Sequence, residues 1–213
     1  MNKPRLLLAD DHKIVLEGLR GLLESEFDLV GVAANGRELL EAARQHRPDA
    51  IVADISMPLL NGIEAARQLK EEGIPSKIIF LTMHPDVVYA ARAFEAGASA
   101  YVLKHSASDE LVQAIREALR GRTYVSEMLR GPALEEFLNE SRKRVKDTIE
   151  LSQRQREVLQ LLAEGKSAKE IGAILDISPR TVETHKYKMM DDLGVQTSAQ
   201  LVQFAIKHGL VSV

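Results

Sequence analysis

The 213-residue sequence contains no cysteine, which excludes a disulfide scaffold and a thiolate metal site. It also has no apolar run of about 18 residues, the length that a membrane-spanning helix requires. No basic and then apolar leader with a small-residue cleavage site stands at its start. We therefore expect neither export nor membrane insertion, and we predict a cytoplasmic protein.

A large net charge of either sign is absent as well, since the formal net charge is −3. The C-terminal residues 148–213 are neutral overall, with eight lysines and arginines against eight aspartates and glutamates. Bulk charge therefore gives no indication of nucleic acid binding. Any contact with DNA must come from the local placement of Arg180, Lys186 and Lys188.

Strand-like and helix-like patterns alternate in the first 122 residues. Helical spacing is seen in Leu111, Ile115 and Ala118, for example, whereas the strand-like runs are short and rich in Val, Ile and Leu. Parallel strands need long right-handed crossovers, so this alternation predicts a doubly wound (βα)5 parallel sheet with helices on both faces. The five predicted strands are Arg5–Ala9, Leu29–Ala33, Ala50–Ala53, Lys77–Leu81 and Ala100–Leu103.

A second, all-helical domain is predicted over residues 148–213, after a linker over residues 123–147 that contains Gly131-Pro132 and a mixed-charge run. Three Ser/Thr-x-x-Glu/Gln signals can cap helices reciprocally, and Ser178-Pro179 can start a further helix. The segment from Ser167 to Val182 has the spacing of a helix-turn-helix. We therefore predict four helices. The three reciprocal signals are Ser152 with Gln155, Ser167 with Glu170, and Thr197 with Gln200.

Polar residues follow the predicted strands, and in open α/β sheets the carboxyl ends of the strands form the ligand crevice. Three clustered carboxylates repel one another unless a divalent cation such as Mg²⁺ neutralises them. A lysine and a hydroxyl at the same edge suit the oxygens of a phosphoryl group, for which a carboxylate can be the acceptor. The residues are Asp10 and Asp11 after the first strand, Asp54 after the third, Thr82 after the fourth and Lys104 after the fifth.

Each of these residues also has an ordinary structural interpretation. The pair Asp10-Asp11 could simply cap the following helix. Taken singly, Thr82 and Lys104 would more often be structural or solvated. Their joint placement at one end of one sheet favours a site for phosphoryl transfer onto aspartate.

The first domain resembles the receiver domain of two-component response regulators. The resemblance implies that Asp54 is the phospho-acceptor and that Lys104 contacts the phosphoryl group. It also implies that Asp10, Asp11 and Asp54 hold Mg²⁺ with the Ser56 main-chain carbonyl, and that Thr82 and Tyr101 form a switch pair. Family receivers usually have proline after the lysine, where His105 stands here. The motifs are Leu7-Leu8-Ala9-Asp10-Asp11-His12, Asp54-Ile55-Ser56-Met57-Pro58, Leu81-Thr82 and Tyr101-Val102-Leu103-Lys104.

Two histidines flank the predicted crevice. His12 and His84 could tune hydrolysis of the phosphoaspartate, but a surface histidine without a partner is the commoner case. We therefore leave both outside the predicted site.

Both predicted helices of the helix-turn-helix would bury an apolar side, and the second would leave polar residues for other contacts. Glu183, Thr184 and Tyr187 can contact base edges, whereas Thr181, Lys186 and Lys188 suit phosphates. The alternative is an amphipathic helix whose polar face is only solvated. The residues assigned to the core are Ile171, Ile174, Leu175, Ile177, Val182, Met189 and Leu193.

The C-terminal domain resembles the LuxR-type domain, and with a receiver this is the architecture of the NarL/FixJ subfamily. The resemblance implies a transcription factor rather than an enzyme, in which phosphorylation of Asp54 by a histidine kinase controls dimerisation and binding to promoter half-sites. A candidate apolar patch for a homodimer contains Val202, Ala205, Ile206 and Leu210. The motifs are Leu151-Ser152, Arg154-Gln155-Arg156-Glu157-Val158-Leu159, Gly165, Glu170-Ile171 and Thr181-Val182-Glu183-Thr184-His185.

Two other classes of protein fit part of the pattern. A magnesium-dependent phosphohydrolase could form an aspartyl-phosphate, but enzymes of the haloacid-dehalogenase family have a second aspartate two residues after the nucleophile, where Ser56 stands here. An interaction module that is never phosphorylated would not need the intact acidic set. Phosphatase turnover of a chromogenic ester distinguishes the first alternative.

Overall fold

A computed structural model describes residues 3–129, 151–207 and 211. The chain separates into two compact units, residues 1–142 and 143–213. The predicted linker residues Gly131-Pro132 and the patch residue Leu210 lie outside the described residues. None of the helices within the described ranges is both long and apolar enough to cross a membrane.

The first unit is built on a parallel sheet in the strand order β2-β1-β3-β4-β5-β6. Five of its strands confirm the predicted positions to within two residues. The strands are β1 (Arg5–Ala9), β2 (Asp28–Ala33), β3 (Ala50–Ala53), β4 (Lys77–Thr82), β5 (Ala98–Leu103) and β6 (Tyr124–Val125).

Helices connect these strands and cover both faces of the sheet. Side chains alternate along each strand, so that Leu7 belongs to the cluster beneath α2, α3 and α4, whereas Leu6 belongs to the cluster beneath α1 and α5. This confirms the doubly wound arrangement. The helices are α1 (Lys13–Leu23), α2 (Gly36–His46), α3 (Gly62–Glu71), α4 (Val87–Glu95) and α5 (Ala107–Leu119).

The sixth strand is a difference from the predicted fold. Residues Tyr124–Val125 pair with β5 in parallel, and a 3₁₀ turn at Glu127–Leu129 follows. Leu129 is buried in the cluster that also contains Tyr101 and Leu103. The first residues of the predicted linker therefore belong to the first unit, because the side chains of Tyr124 and Leu129 complete the core of that unit.

The second unit contains four helices in its described part: α6 (Gln153–Ala163), α7 (Ala168–Leu175), α8 (Pro179–Asp192) and α9 (Ser198–Lys207). The reciprocal caps at Ser152 and Ser167 are both formed, and the Ser178 side chain accepts a hydrogen bond from the Thr181 N–H. The Thr197 hydroxyl caps α9 by accepting from the Gln200 N–H at 3.1 Å. All four predicted helix starts are confirmed.

The core of the second unit agrees with most of the predicted set. Helices α7 and α8 bury Ile171, Leu175, Val182 and Met189. The other three predicted core residues, Ile174, Ile177 and Leu193, are half-buried. The turn between the two helices packs closely on α7, since a Cβ on Gly172 would lie 2.7 Å from the Ile177 carbonyl oxygen.

Candidate functional site

The predicted acidic residues meet at one edge of the sheet. Asp10 and Asp11 directly follow β1, and Asp54 directly follows β3. Lys104 directly follows β5, beyond β4 in the sheet order. Parallel strands end at a common edge, so side chains distant in sequence become neighbours. The structure thus brings together the acidic set and the lysine as the sequence predicts.

Lys104 bridges two of the carboxylates. Its Nζ lies 2.7 Å from Asp10 Oδ2 and 2.7 Å from Asp54 Oδ2. Both aspartates are buried, with exposures of 1% for Asp10 and 5% for Asp54. Buried charges are tolerated only when paired, and this bridge supplies the pairing.

The other oxygen of the Asp54 carboxylate is held by main-chain amides. Asp54 Oδ1 accepts hydrogen bonds from the Ile55 N–H at 2.6 Å and the Ser56 N–H at 3.4 Å. Helix α3 starts close by, since a Cβ on Gly62 would lie only 2.1 Å from the Asp54 carbonyl oxygen. A side chain at residue 62 would therefore displace the loop that orients Asp54.

Opposing effects set the ionisation of this pair. Burial raises the pKa of the Asp54 carboxyl, although the Lys104 ammonium lowers it in part. Burial alone would lower the pKa of Lys104, but its hydrogen bonds with Asp10 and Asp54 outweigh burial and raise this pKa. Lys104 therefore remains charged at neutral pH.

The acidic pocket has a donor set suited to a hard cation. Asp10, Asp11, Asp54 and His12 each offer a ligand atom, and these atoms lie within 4.8 Å of one another. The pocket contains three carboxylates and one lysine, which contacts two of them, so the negative charge is in excess and the pocket could hold a divalent metal ion.

The predicted switch residues are both fully buried and both contact His84. The Thr82 hydroxyl accepts a hydrogen bond of 3.3 Å from the His84 N–H. The Tyr101 hydroxyl donates one of 2.8 Å to the His84 carbonyl oxygen. Burial raises the pKa of Tyr101 well above its usual value, so its hydroxyl stays protonated.

His12 and His84 each have polar partners, so the reason for leaving them outside the site does not hold. His12 Nδ1 lies 2.9 Å from Asp11 Oδ1, and His84 Nε2 lies 2.7 Å from the Ser56 hydroxyl. The His84 ring also stacks on Tyr89 with centroids 4.3 Å apart. Burial lowers the pKa of His84. Their positions in the sequence could have indicated these contacts, because each histidine stands two residues after a predicted site residue.

Lys104 is followed by His105 in a 3₁₀ turn over Lys104–Ser106. The described residues contain no cis peptide bond, so the bond between Lys104 and His105 is trans, as is usual before a residue other than proline.

The six residues assigned to DNA contact all lie on α8. Thr181, Thr184, Tyr187 and Lys188 are exposed, whereas Glu183 and Lys186 are half-buried. Lys186 forms an ion pair with Glu183, and its Nζ lies 4.8 Å from the centre of the Tyr187 ring. Glu183 and Lys186, which are predicted as separate contacts with a base edge and a phosphate, are thus joined to each other in the structure.

The hydroxyls of α8 are partly engaged within the helix. Thr181 Oγ1 lies 2.8 Å from Ser178 Oγ, and Thr184 Oγ1 donates to the Arg180 carbonyl at 2.9 Å. Tyr187 is the exposed large hydrophobic side chain of this helix, at 61%.

Comparisons with known proteins find a matching family for each of the two units of the chain. Residues 6–116 match the response regulator receiver domain, and residues 150–205 match the bacterial regulatory proteins of the luxR family. The transcriptional regulatory protein MctR of Rhizobium johnstonii is 35% identical over 212 residues, which cover 99% of this chain and 96% of MctR.

Solved structures of RcsB show the same architecture. The Salmonella typhimurium RcsB response regulator is 28% identical with a TM-score of 0.64, over 98% of this chain and 99% of RcsB. A structure of two RcsB dimers bound to two parallel DNAs is 27% identical with a TM-score of 0.57, over 95% of this chain and 98% of that chain.

A receiver domain with an acidic pocket, followed by a helix-turn-helix domain, defines a response regulator with a DNA-binding output domain. The chain belongs to the response regulators of the NarL/FixJ subfamily, with a LuxR-type DNA-binding domain, and is a DNA-binding transcription factor.

Proposed function

We propose that Asp54 accepts a phosphoryl group from a partner histidine kinase and that this phosphorylation controls dimerisation and promoter binding. The observation that carries this proposal is the contact between the Lys104 ammonium and the buried Asp54 carboxylate, in the same pocket as Asp10 and Asp11. Lys104 supplies the cation that a phosphoryl group requires, and Asp54 supplies the acceptor oxygen.

We assign Asp10, Asp11, Asp54 and the Ser56 main-chain carbonyl as the residues that would hold Mg²⁺. The carboxylates fit this cation, which prefers oxygen ligands and neutralises clustered negative charge. When bound, Mg²⁺ would neutralise charge on the phosphoryl oxygens.

In the transfer step, an oxygen of the Asp54 carboxylate attacks phosphorus while the bond from phosphorus to the donor breaks. The leaving atom is a histidine nitrogen in the kinase or an oxygen in acetyl phosphate, and it departs with the electron pair. Lys104 can move its contact from Asp54 Oδ2 to a phosphoryl oxygen, since Asp10 also holds its ammonium at 2.7 Å. The cation thus stays in place throughout the transfer.

Thr82 and Tyr101 are proposed to respond to the new charge. If the Thr82 hydroxyl turns to the phosphoryl group, it gives up its hydrogen bond with the His84 N–H. The Tyr101 hydroxyl contacts the carbonyl of the same residue, so a movement of His84 changes the surroundings of both switch residues.

For the output we propose that α8 contacts DNA, with Glu183, Thr184 and Tyr187 at base edges and Thr181, Lys186 and Lys188 at phosphates. Dimerisation is supported by the RcsB dimers on DNA. The predicted patch on α9 is divided in the structure, since Ile206 is 44% exposed whereas Ala205 is fully buried. Ala205 therefore belongs to the core of the second unit.

We propose that the receiver spans residues 1–129, since β6 and the following turn pack on it, that the linker ends at residue 147, and that residues 148–213 form the DNA-binding domain. The proposed partners, a histidine kinase and double-stranded promoter DNA, favour a cytoplasmic location. The proposed role is regulatory rather than enzymatic.

The direct test is labelling with acetyl phosphate and Mg²⁺, followed by intact-mass measurement. We expect the parent protein to take up one phosphoryl group and Asp54→Ala to take up none. Asp109→Ala, a change at an exposed aspartate in the first turn of α5, serves as the matched control and should label like the parent. Equal uptake by Asp54→Ala and the parent would overturn the assignment of the acceptor.

A further inference from the structure

A buried serine follows β6 and contacts β5, the strand that Lys104 directly follows. Ser126 is completely buried, and its N–H donates a hydrogen bond of 2.9 Å to the Tyr101 carbonyl. Its hydroxyl oxygen accepts one of 3.0 Å from the Leu103 N–H. Ser126 therefore binds β5 at the switch tyrosine and at the residue directly before the lysine.

A second hydroxyl completes this arrangement from the other side of Lys104. Ser106 Oγ donates to the Leu103 carbonyl at 3.1 Å and lies 3.3 Å from Ser126 Oγ. Two serine hydroxyls thus hold the N–H and the C=O of Leu103. The main chain that enters the turn at Lys104 is fixed by side chains as well as by the sheet.

Glu110 determines which way the Ser126 hydroxyl points. Glu110 Oε2 accepts a hydrogen bond of 2.6 Å from Ser126 Oγ and one of 3.3 Å from the Tyr124 hydroxyl. Because the Ser126 proton is committed to Glu110, its oxygen presents a lone pair to the Leu103 N–H. Glu110 lies in the first turn of α5, where a negative charge is favoured by the helix dipole.

We propose that Ser126, oriented by Glu110, is a positioning residue for Lys104 in phosphoryl transfer. This inference rests on the proposed function of Asp54 and Lys104. Lys104 must reach Asp10 and Asp54 at 2.7 Å each from a turn only three residues long. Removing the Ser126 hydroxyl leaves the Leu103 N–H buried without this partner, so the strand end must shift to find another.

The test compares rates of phosphorylation by acetyl phosphate at saturating Mg²⁺. Ser126→Ala should lower the rate constant on the order of tenfold, since small misplacements of a catalytic group have large effects. Ser126→Thr keeps the hydroxyl and should restore most of the parent rate. Ser108→Ala is the control, because Ser108 is exposed and its recorded side-chain hydrogen bond is with Asp109. Ser108→Ala should label at the parent rate.

A double-mutant cycle separates positioning from general damage to the fold. In a Lys104→Ala background, Ser126→Ala should cause no further loss of rate, because its effect passes through the lysine. An equal loss in both backgrounds would overturn the proposal. Glu110→Ala removes the acceptor that orients the Ser126 hydroxyl, at a half-buried position. It should also lower the rate of phosphorylation, and it can be tested in the same two backgrounds.

The outcomes also distinguish this inference from the proposed function. If Asp54→Ala labels like the parent, the assignment of the acceptor is wrong. If Asp54 is labelled in the parent and Ser126→Ala labels at the parent rate, only the positioning role is wrong.

Discussion

The Tyr101 hydroxyl donates a hydrogen bond of 2.8 Å to the main-chain carbonyl of His84. This bond joins β5 to the loop after β4, and its tyrosine side is fully buried, whereas His84 is half-buried. Thr82 contacts the N–H of the same histidine. The proposed switch pair is thus connected through one residue before any phosphoryl group is present.

We expect Tyr101→Phe to lower the free energy of unfolding by about 1 kcal/mol, because it removes a hydrogen bond to a half-buried residue while keeping the buried ring. Urea titration of the parent and the variant measures this difference. Tyr187→Phe is the matched control, since the Tyr187 side chain is largely exposed, and its stability should equal that of the parent. A Tyr101→Phe variant as stable as the parent would show that this contact contributes nothing.

Lys104→Ala should destabilise the protein most at neutral pH and least at acidic pH. The variant leaves buried carboxylates without their cation, which costs about 3 to 5 kcal/mol when a buried pair is broken. The pKa of Asp54 is already raised by burial and should rise further without Lys104. A carboxyl whose pKa is higher in the folded than in the unfolded state binds its proton preferentially in the folded state, so the free energy of unfolding increases as pH falls. The difference in this free energy between the parent and Lys104→Ala should therefore shrink on acidification.

Urea titrations at pH 7.5 and pH 5.5, without divalent metal, measure this effect. Lys70→Ala, at an exposed lysine of α3, is the control and should show no such dependence on pH. A Lys104→Ala deficit that is equal at both values of pH would contradict the electrostatic explanation.

Mg²⁺ should stabilise the parent, because a ligand that binds only the folded state adds about 2.7 kcal/mol at one hundred times its dissociation constant. Asp11→Asn should lose much of this stabilisation, since Asp11 is one of the proposed ligands. Asp109→Asn should keep it. Thermal unfolding with and without Mg²⁺ measures the difference, and equal shifts in Asp11→Asn and the parent would exclude Asp11 from the metal site.

On α8, Glu183→Ala should change the ranking of DNA sequences, whereas Lys188→Ala should weaken all sequences alike and reduce the salt slope by about one unit. Because Glu183→Ala also releases Lys186 from its ion pair, binding to sequences without the preferred base should strengthen slightly, whereas binding to the preferred sequence should weaken. A binding selection on randomised DNA at two salt concentrations measures both effects. An unchanged ranking with Glu183→Ala would remove its role at base edges.

The sequence predicted the acidic pocket because parallel strands end at one edge, so Asp10, Asp54 and Lys104 could be placed by counting strands. The hydrogen bond between His84 and Ser56 could not be found in this way, because both residues lie in loops beyond the strand ends, where the strand pattern no longer fixes the direction of a side chain. Ser126 was missed because β6 has only two residues, too few for any periodic pattern. Hydroxyl contacts depend on atomic geometry, which spacing does not reveal.

Control of DNA binding by phosphorylation of Asp54 is tested by the affinity of the full-length protein for selected genomic DNA fragments. The parent and Asp54→Ala are each measured at one salt concentration, with and without acetyl phosphate, in the presence of Mg²⁺. We expect acetyl phosphate to increase the affinity and the dimer fraction of the parent alone. Equal affinity of the labelled and unlabelled parent, or an equal response in Asp54→Ala, would show that phosphorylation of Asp54 does not control DNA binding.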